Sequence, residues 1–277
     1  MIKSLTSLRG IFILFIFLHH CMNLYPGGGT MAVAFFFVLG GFGMTLGYKE
    51  KILAVDFDYR QFVTRRCIKF YPLHCLCLLL SLPLVLMEFR WYQIPVFFVN
   101  ASLFQSWIPF PPIYFSFNAV SWYLADTMFF ALAFPFVTRW ILRANTRGHI
   151  LVAFLLILLY LSVAILVPQQ MHHAILYINP FIRFPDFLFG MYIALLYLRL
   201  KEKPAKWWNG AVVSHLLIFA AIALLVVESC ILSDEARLVA PVYWALIGVV
   251  ILVASQSDRI GGGRIYLKTR FYNALAN

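Results

Sequence analysis

Residues 149–168 read HILVAFLLILLYLSVAILVP and contain no Asp, Glu, Lys or Arg. A helix of about 20 mostly apolar residues crosses the hydrocarbon core of a bilayer, so this stretch predicts a transmembrane helix. Seven further apolar runs of similar length follow the same pattern, at 5–24, 31–48, 70–87, 118–138, 184–198, 210–230 and 238–256. The sequence therefore predicts an all-α polytopic membrane protein with about eight transmembrane helices.

The composition of the whole chain agrees with this prediction. Of the 277 residues, 63% are hydrophobic and 12% are charged, whereas about a quarter of the residues of a soluble domain are charged. A soluble globule and a disordered chain are excluded, and the continuous apolar runs argue against a β-barrel, which alternates apolar and polar residues. The net charge of +11 is then typical of basic cytoplasmic loops, and we expect no nucleic-acid partner.

The distribution of basic residues predicts the orientation. If the N-terminus is cytoplasmic, only Arg90, Arg183 and Arg237 of the 22 Lys and Arg residues lie on the outer side, as the positive-inside rule requires. Both termini are then cytoplasmic. We predict one transmembrane domain over 1–256 and a basic cytoplasmic tail over 257–277. The segment 91–117, rich in Pro and aromatic residues, is predicted to lie in the outer interface or to dip back into the bundle.

Two basic side chains stand out in the first helix. Arg9 and His20 are eleven residues apart, which places them on one helix face, within about 20° and about 16 Å apart along the axis. Ionisable groups at membrane depth are candidates for function. The alternative is structural, with Arg9 extending to the cytoplasmic interface and His20 lying at the outer one.

Later segments hold further polar candidates. Asp126 lies two turns into the fourth helix, where it is either functional or a hydrogen-bonded packing residue. Arg183 and Asp186 begin the sixth helix three residues apart, so they could pair with each other.

A cationic patch is predicted in the cytoplasmic loop before the third helix. Arg65, Arg66 and Lys69 form it, and arginine forks suit phosphate groups. Binding of anionic lipid headgroups is the structural alternative.

A metal site is not expected. His74, Cys75 and Cys77 open a spanning helix but lack a second pair of ligands. His172 and His173 in a short outer loop also lack acidic or cysteine neighbours.

Five motifs together resemble the membrane-bound acyltransferase 3 family, the bacterial O-acyltransferases of surface glycans. Four positions depart from the family pattern: Gly40 stands for Ser, Lys69 for Arg, Thr127 for Glu and Ala131 for Tyr. The family generally has about ten helices, so the resemblance implies that the last two are lacking here. In chain order, the motifs are Arg9-x10-His20, Phe35-Phe-Phe-Val-Leu-Gly-Gly41, Arg66-x-x-Lys69-x-x-Pro72, Ser121-Trp-Tyr-Leu-Ala-Asp-Thr-Met-Phe-Phe130 and Arg183-x-x-Asp186-Phe-x-x-Gly190.

The resemblance implies transfer of an acyl group, most commonly acetyl, from cytoplasmic acyl-CoA to a sugar hydroxyl of a glycan or lipid-linked sugar. It also implies a multi-pass protein of the bacterial cytoplasmic (inner) membrane, in contact with its lipids, without a bound cofactor. The implied roles are as follows: His20 and Arg9 are catalytic, Arg65, Arg66 and Lys69 bind acyl-CoA, and Trp122, Asp126, Arg183 and Asp186 bind or support the substrates.

Two other functions remain open from the sequence. A transporter or flippase of a glycan precursor would use the intramembrane polar residues as a pathway, although no inverted repeat is visible. A catalytically inactive relative of the acyltransferases would account for Thr127.

Overall fold

A computed structural model describes residues 2–22, 27–202 and 211–259. This part of the chain is helical and contains no strand. Eight of its helices are long and apolar enough to cross a membrane. The prediction of an all-α polytopic membrane protein with about eight transmembrane helices is therefore confirmed.

The helices follow one another with short connections. A π-helical turn, Leu18–Met22, continues α1, and a second one spans His173–Ile178; short 3-10 turns occupy Gln105–Trp107 and Gln169–Met171. The α-helices are α1 Lys3–Phe17, α2 Gly28–Leu53, α3 Tyr59–Met87, α4 Gln93–Ala101, α5 Pro111–Tyr114, α6 Ser121–Arg143, α7 Thr146–Leu166, α8 Pro180–Lys201, α9 Ala211–Ile231, α10 Asp234–Leu238 and α11 Pro241–Arg259.

The chain divides into two compact units. Unit 1 comprises residues 1–46 and 186–277, and unit 2 comprises residues 47–185. The boundaries fall within α2 and α8. The prediction of a single domain over 1–256 stays a prediction. The helix α11 continues to Arg259, so the first residues of the predicted tail are helical, and 260–277 lie outside the described residues.

The core of unit 1 joins α1 to the last helices. Phe12 of α1 and Tyr243 and Val250 of α11 are fully buried in one apolar cluster. The first turn of α1 is fixed as well, because the backbone N–H of Ser4 donates to the Asp258 carboxylate at 2.9 Å and the Ser4 hydroxyl donates to its other oxygen. A carboxylate at a helix N-terminus satisfies free N–H groups and complements the helix dipole.

Two glycines let α2 and α8 approach closely within unit 1. A Cβ atom on Gly41 would lie 2.0 Å from the carbonyl oxygen of Phe187, and one on Gly190 would lie 1.9 Å from that of Val38. Only glycine fits at either position, as expected where membrane helices pack backbone to backbone. The Gly40-Gly41 and Asp186-x-x-x-Gly190 motifs therefore pack against each other.

In unit 2, the third transmembrane helix begins earlier than its apolar run indicates. The side chain of Asp58 accepts a hydrogen bond from the Gln61 N–H at 3.1 Å and caps α3 at Tyr59. The cationic residues predicted in a loop therefore lie on the first turns of this helix. The apolar run from residue 70 marks only part of the helix.

The Pro-rich segment 91–117 forms short helices, and parts of it are buried in unit 2. The side chains of Asn100, Gln105 and Tyr114 are at most 2% exposed. This burial favours the second of the two predicted alternatives, in which the segment enters the protein. Leu103 and Phe117 have positive φ values of 59° and 56°, a left-handed conformation that is strained for residues other than glycine.

Candidate functional site

The helix α1 presents both predicted catalytic residues at its surface. Arg9 and His20 are exposed, and Ile13 and Phe17, at 57% and 50% exposure, lie between them. The predicted angle assumed a regular α-helix throughout, but the turn containing His20 is π-helical. The spacing by three or four residues from Arg9 through Ile13 and Phe17 to His20 nevertheless keeps all four along one exposed strip, which we call the α1 face.

The structure distinguishes the two adjacent histidines. The ring of His19 packs over Gly29, where a Cβ atom would lie 2.6 Å from its Cδ2. His20 is exposed, and its ring centroid is 4.8 Å from that of His19. His19 therefore packs between helices of unit 1, whereas His20 is accessible to a substrate.

An exposed arginine and an exposed histidine on a membrane helix require a polar environment or a polar partner. Charged and polar side chains at membrane depth are costly when they face lipid, and they usually face a cavity, a partner group or a ligand. The α1 face is therefore a candidate functional site.

The basic residues at the start of α3 separate into two groups. Arg65 and Lys69 are exposed and four residues apart, so they share one side of the helix. Arg66 is 9% exposed, with its guanidinium carbon 4.5 Å from the Tyr48 ring centroid and 5.1 Å from that of Phe62. The predicted patch thus consists of two exposed cations and one arginine held by aromatic rings.

Two predicted supporting residues meet in unit 2 around Tyr177. The ring centroid of Trp122 is 4.9 Å from that of Tyr177, and the guanidinium carbon of Arg183 is 5.6 Å from it. Trp122 and Arg183 are buried. Asp126, one turn beyond Trp122 on α6, is fully buried as well.

Asp186, in unit 1, forms a hydrogen bond with a tryptophan instead. Its Oδ1 accepts a hydrogen bond from the indole Nε1–H of Trp244 at 2.6 Å. The Trp244 ring stacks on Phe189, with centroids 5.1 Å apart. Asp186 therefore orients an aromatic residue between α8 and α11.

Sequence reasoning missed Tyr177 itself and two further members of the aromatic group around it. The ring of His173 lies 5.2 Å from that of Tyr177, and its Nδ1 lies 3.4 Å from the hydroxyl of Tyr114. We call Tyr114, Trp122, His173 and Tyr177 the aromatic cluster. His173 and Tyr177 share the π-helical turn, an irregularity frequent at functional sites. Adjacent histidines beside aromatic residues were the signal available in the sequence.

Burial shifts the pKa values of two residues of the aromatic cluster, His173 and Tyr114. It lowers the pKa of His173 below its ordinary value of 6.5 and raises the pKa of Tyr114 above 10.0. Both changes favour the neutral side chains.

A pH dependence of stability follows from His173. Its folded pKa is depressed, so the unfolded chain binds the proton more readily once the pH falls below about 6.5. We expect the melting temperature of the purified protein in nanodiscs to be steady from pH 8 to pH 7 and to decline by a few degrees towards pH 5. In His173→Gln this decline should be smaller; an unchanged decline would assign it to other groups.

Comparison with known proteins places the chain in a family. The family described as "Acyltransferase domain" matches residues 2–265, and the chain belongs to this acyltransferase family of multi-pass membrane proteins. The predicted resemblance to the acyltransferase 3 family is thereby confirmed.

One curated relative, the acyltransferase MdmB of Streptomyces mycarofaciens, is 30% identical over 125 residues. The match covers 43% of this chain and 31% of that protein, so the chain spans about a third of the relative it matches. No solved structure matches the chain.

Proposed function

We propose that this protein is a membrane O-acyltransferase that moves an acyl group, acetyl in the first instance, from cytoplasmic acyl-CoA to a sugar hydroxyl of a cell-surface or exported glycan. Membership of the acyltransferase family supports the reaction class. The observation that carries the proposal is the exposure of Arg9 and His20 together on the α1 face. The location proposed is the bacterial cytoplasmic membrane.

His20 is the proposed general base. A ring nitrogen accepts the proton of the sugar hydroxyl as its oxygen attacks the thioester carbonyl, forming a tetrahedral oxyanion. The C–S bond then breaks, and the leaving thiolate takes the proton from the imidazolium. The products are an ester and the thiol of CoA, and His20 returns to its neutral form.

Arg9 is assigned to the donor rather than to the reacting carbonyl. Eleven residues separate it from His20, about 16 Å along a regular α-helix, so it can reach a part of the donor remote from the reacting carbonyl. Acyl-CoA carries several phosphates remote from its thioester, and a guanidinium binds phosphate bidentately. Arg9 therefore suits an anionic part of the donor.

The basic residues of α3 are also assigned to the donor. Arg65 and Lys69 offer two exposed cations on one side of the helix, and Arg66 has an Nη2 atom without a hydrogen-bond partner among the described residues. The aromatic rings of Tyr48 and Phe62 restrict the rotamers of Arg66, so less entropy is lost when its fork meets a phosphate.

The aromatic cluster is assigned to binding of the acceptor sugar. Trp122 and Tyr177 provide flat apolar rings and Arg183 a guanidinium beside them. This combination suits a sugar ring with polar substituents. Asp126, buried one turn beyond Trp122, and Asp186, which accepts from Trp244, are assigned supporting roles.

The proposal is tested in cells that carry the chain or an empty vector. The cells are fed labelled acetate, and alkali-labile acetyl esters on surface glycan are measured by mass spectrometry. Esters that appear only with the chain support the proposal. Their absence, with the protein verified in the membrane, contradicts it. Uptake of labelled glycan precursor into sealed vesicles without ester formation would instead support a transporter.

A donor-binding role for Arg66 makes a quantitative prediction. In Arg66→Met, the apolar contacts to Tyr48 and Phe62 are largely kept while the charge is lost. We expect the KM for acetyl-CoA to rise about tenfold, equivalent to one charge-assisted hydrogen bond of about 1.5 kcal/mol, with a smaller change in the KM for the glycan. Steady-state kinetics in nanodiscs measure both constants. Arg60→Met, an exposed position on the preceding turn of α3, is the control and should change neither constant; equal effects of the two variants would refute the assignment.

A further inference from the structure

An apolar pocket lies in unit 2 where α3 ends and α4 begins, and we call it the α3–α4 pocket. Its volume is about 260 Å³, below the roughly 300–1,000 Å³ of sites for drug-sized ligands. The walls include Leu82 and Val85 of α3 and Phe97 of α4. Eight of the nine lining residues are apolar, and the side-chain oxygen of the ninth, Gln93, accepts from the Arg90 N–H at 2.8 Å. The pocket therefore suits a narrow hydrocarbon chain.

One wall of the pocket is held by a strained residue. Phe117 lines the pocket and has a left-handed backbone with φ of 56°. Its ring centroid is 5.7 Å from that of Phe97, which in turn is 5.6 Å from that of Phe98. A non-glycine residue keeps such a conformation only where its surroundings impose it, and these positions cluster at binding sites. The pocket is thus a built feature of the fold and more than a gap between lipid-facing side chains.

The length of α3 places this pocket near one surface of the membrane. The helix has 29 residues, about 43 Å at 1.5 Å per residue, whereas the hydrocarbon core is about 30 Å thick. Its first turns carry the exposed cations Arg65 and Lys69, so its last turns reach the opposite interface. Trp91 and Tyr92 are exposed just beyond the helix, as is typical at the level of lipid headgroups. Leu86, on the pocket wall, is exposed as well, so the pocket opens towards lipid.

A pair of opposite charges lies beside the pocket. Glu88 and Arg90 are exposed and flank Phe89, which lines the pocket. Two residues of chain separate their Cα atoms by at most about 7 Å. In the described part of the chain, neither side chain forms an ion pair. The pair can therefore receive a headgroup that carries a positive and a negative charge close together.

We infer that the α3–α4 pocket binds one acyl chain of a zwitterionic phospholipid, with the lipid phosphate on Arg90 and its primary ammonium on Glu88. An ammonium group brings three N–H donors, whereas a quaternary ammonium brings none. An anionic lipid would place its phosphate near Arg90 but leave Glu88 without a cation. Because the surrounding lipid is as apolar as the pocket, chain burial alone selects little, and the headgroup contacts supply the preference.

The position of the pocket argues against the acyl chain of the proposed donor. Lys69 and Leu86 are 17 residues apart, about 25 Å along a regular helix. A donor held by Arg65 and Lys69 would thus lie at the other end of α3. Lipid binding also requires no acyl transfer, so its outcome is independent of the proposed function.

Binding is tested by native mass spectrometry of the delipidated full chain in detergent. Three lipids with the same oleoyl chains are titrated separately: phosphatidylethanolamine, phosphatidylcholine and phosphatidylglycerol. We expect the first bound phosphatidylethanolamine to have an affinity about fivefold above that of either other lipid, the factor expected from one exposed ion pair. Equal affinities would indicate ordinary lipid contact only, and tightest binding of phosphatidylglycerol would exclude the role of Glu88; either result overturns the inference.

A variant that fills the pocket locates the bound chain. Val85→Phe adds a ring to the pocket wall, and the affinity for all three lipids should fall at least tenfold. Leu84→Phe is the matched control, because Leu84 is the preceding residue on α3, is exposed and does not line the pocket; it should bind as the wild type does. Gel filtration and the melting temperature verify that both variants are folded. Wild-type affinity in folded Val85→Phe would overturn the inference.

Two further variants test the headgroup contacts. Glu88→Gln should abolish the preference for phosphatidylethanolamine over phosphatidylcholine. Arg90→Gln should weaken all three lipids about fivefold and keep their order, since each carries a phosphate. Arg60→Gln removes an exposed arginine at the other end of α3 and should change nothing. A preference that persists in Glu88→Gln, or equal effects of Arg90→Gln and Arg60→Gln, would overturn the assignment of the headgroup and with it the inference.

Discussion

Replacing His20 with alanine is expected to lower the rate of acyl transfer about a thousandfold while leaving the protein in the membrane. The magnitude is that of removing a positioned general base. His20 is exposed on the π-helical turn that continues α1, so its loss should not impair folding. The measurement is the initial rate of labelled acetyl-ester formation by purified protein in nanodiscs, at saturating acetyl-CoA.

The neighbouring histidine provides the matched control for this variant. His19 packs over Gly29, so His19→Ala should reduce the melting temperature and keep most of the rate per folded molecule. The opposite pattern, in which His20→Ala retains its rate, would remove His20 from the mechanism. A comparable loss of rate in both variants would indicate that the π-helical turn matters as a whole rather than one imidazole.

The largest effect on stability is expected from Gly190→Ala. The new Cβ atom would lie 1.9 Å from the carbonyl oxygen of Val38, and backbone atoms cannot move aside as the tip of a side chain can. Overpacking of this kind costs about 3 kcal/mol or more. We expect the melting temperature, measured by size-exclusion chromatography after heating in detergent, to fall by about 8 °C.

A second glycine tests whether this effect comes from the helix contact. Gly43 lies on the same helix as Val38, and no atom lies within 4 Å of a Cβ added there. Gly43→Ala should therefore leave the melting temperature unchanged or raise it slightly, because alanine has the higher helix propensity. If Gly190→Ala were as stable as Gly43→Ala, the close approach of α2 and α8 would be incorrect.

The helical architecture could be predicted because each transmembrane segment carries its own signal. Continuous apolar runs such as 149–168 identify the helices without any knowledge of their partners. The start of α3 was missed because its first turns are polar. Only the Asp58 side chain, which caps the N-terminus of the helix, marked where it begins. The roles of Gly41 and Gly190 in packing depend on which helices meet, which no single segment encodes.

The candidate site could be predicted only in part, for a similar reason. The Arg9 to His20 spacing identifies one helix face, since both residues lie on a single element. The separation of Arg66 from Arg65 and Lys69 depends on Tyr48 and Phe62, which lie elsewhere in the chain.

The burial of polar side chains near residue 100 is not encoded locally, and of the aromatic cluster only Trp122 was predicted. Asn100 and Gln105 look like ordinary loop residues until tertiary packing buries them. Likewise, Tyr114 and His173 meet across 59 positions of sequence.

The link between Ser4 and Asp258 has a consequence for biosynthesis. The carboxylate that caps the first turn of the helix carrying His20 is made 254 residues later than Ser4, which it binds. The buried face of that helix also packs against α11. During translation, α1 must therefore remain in the membrane without its final neighbours, and the geometry around His20 becomes fixed only after α11 has been inserted.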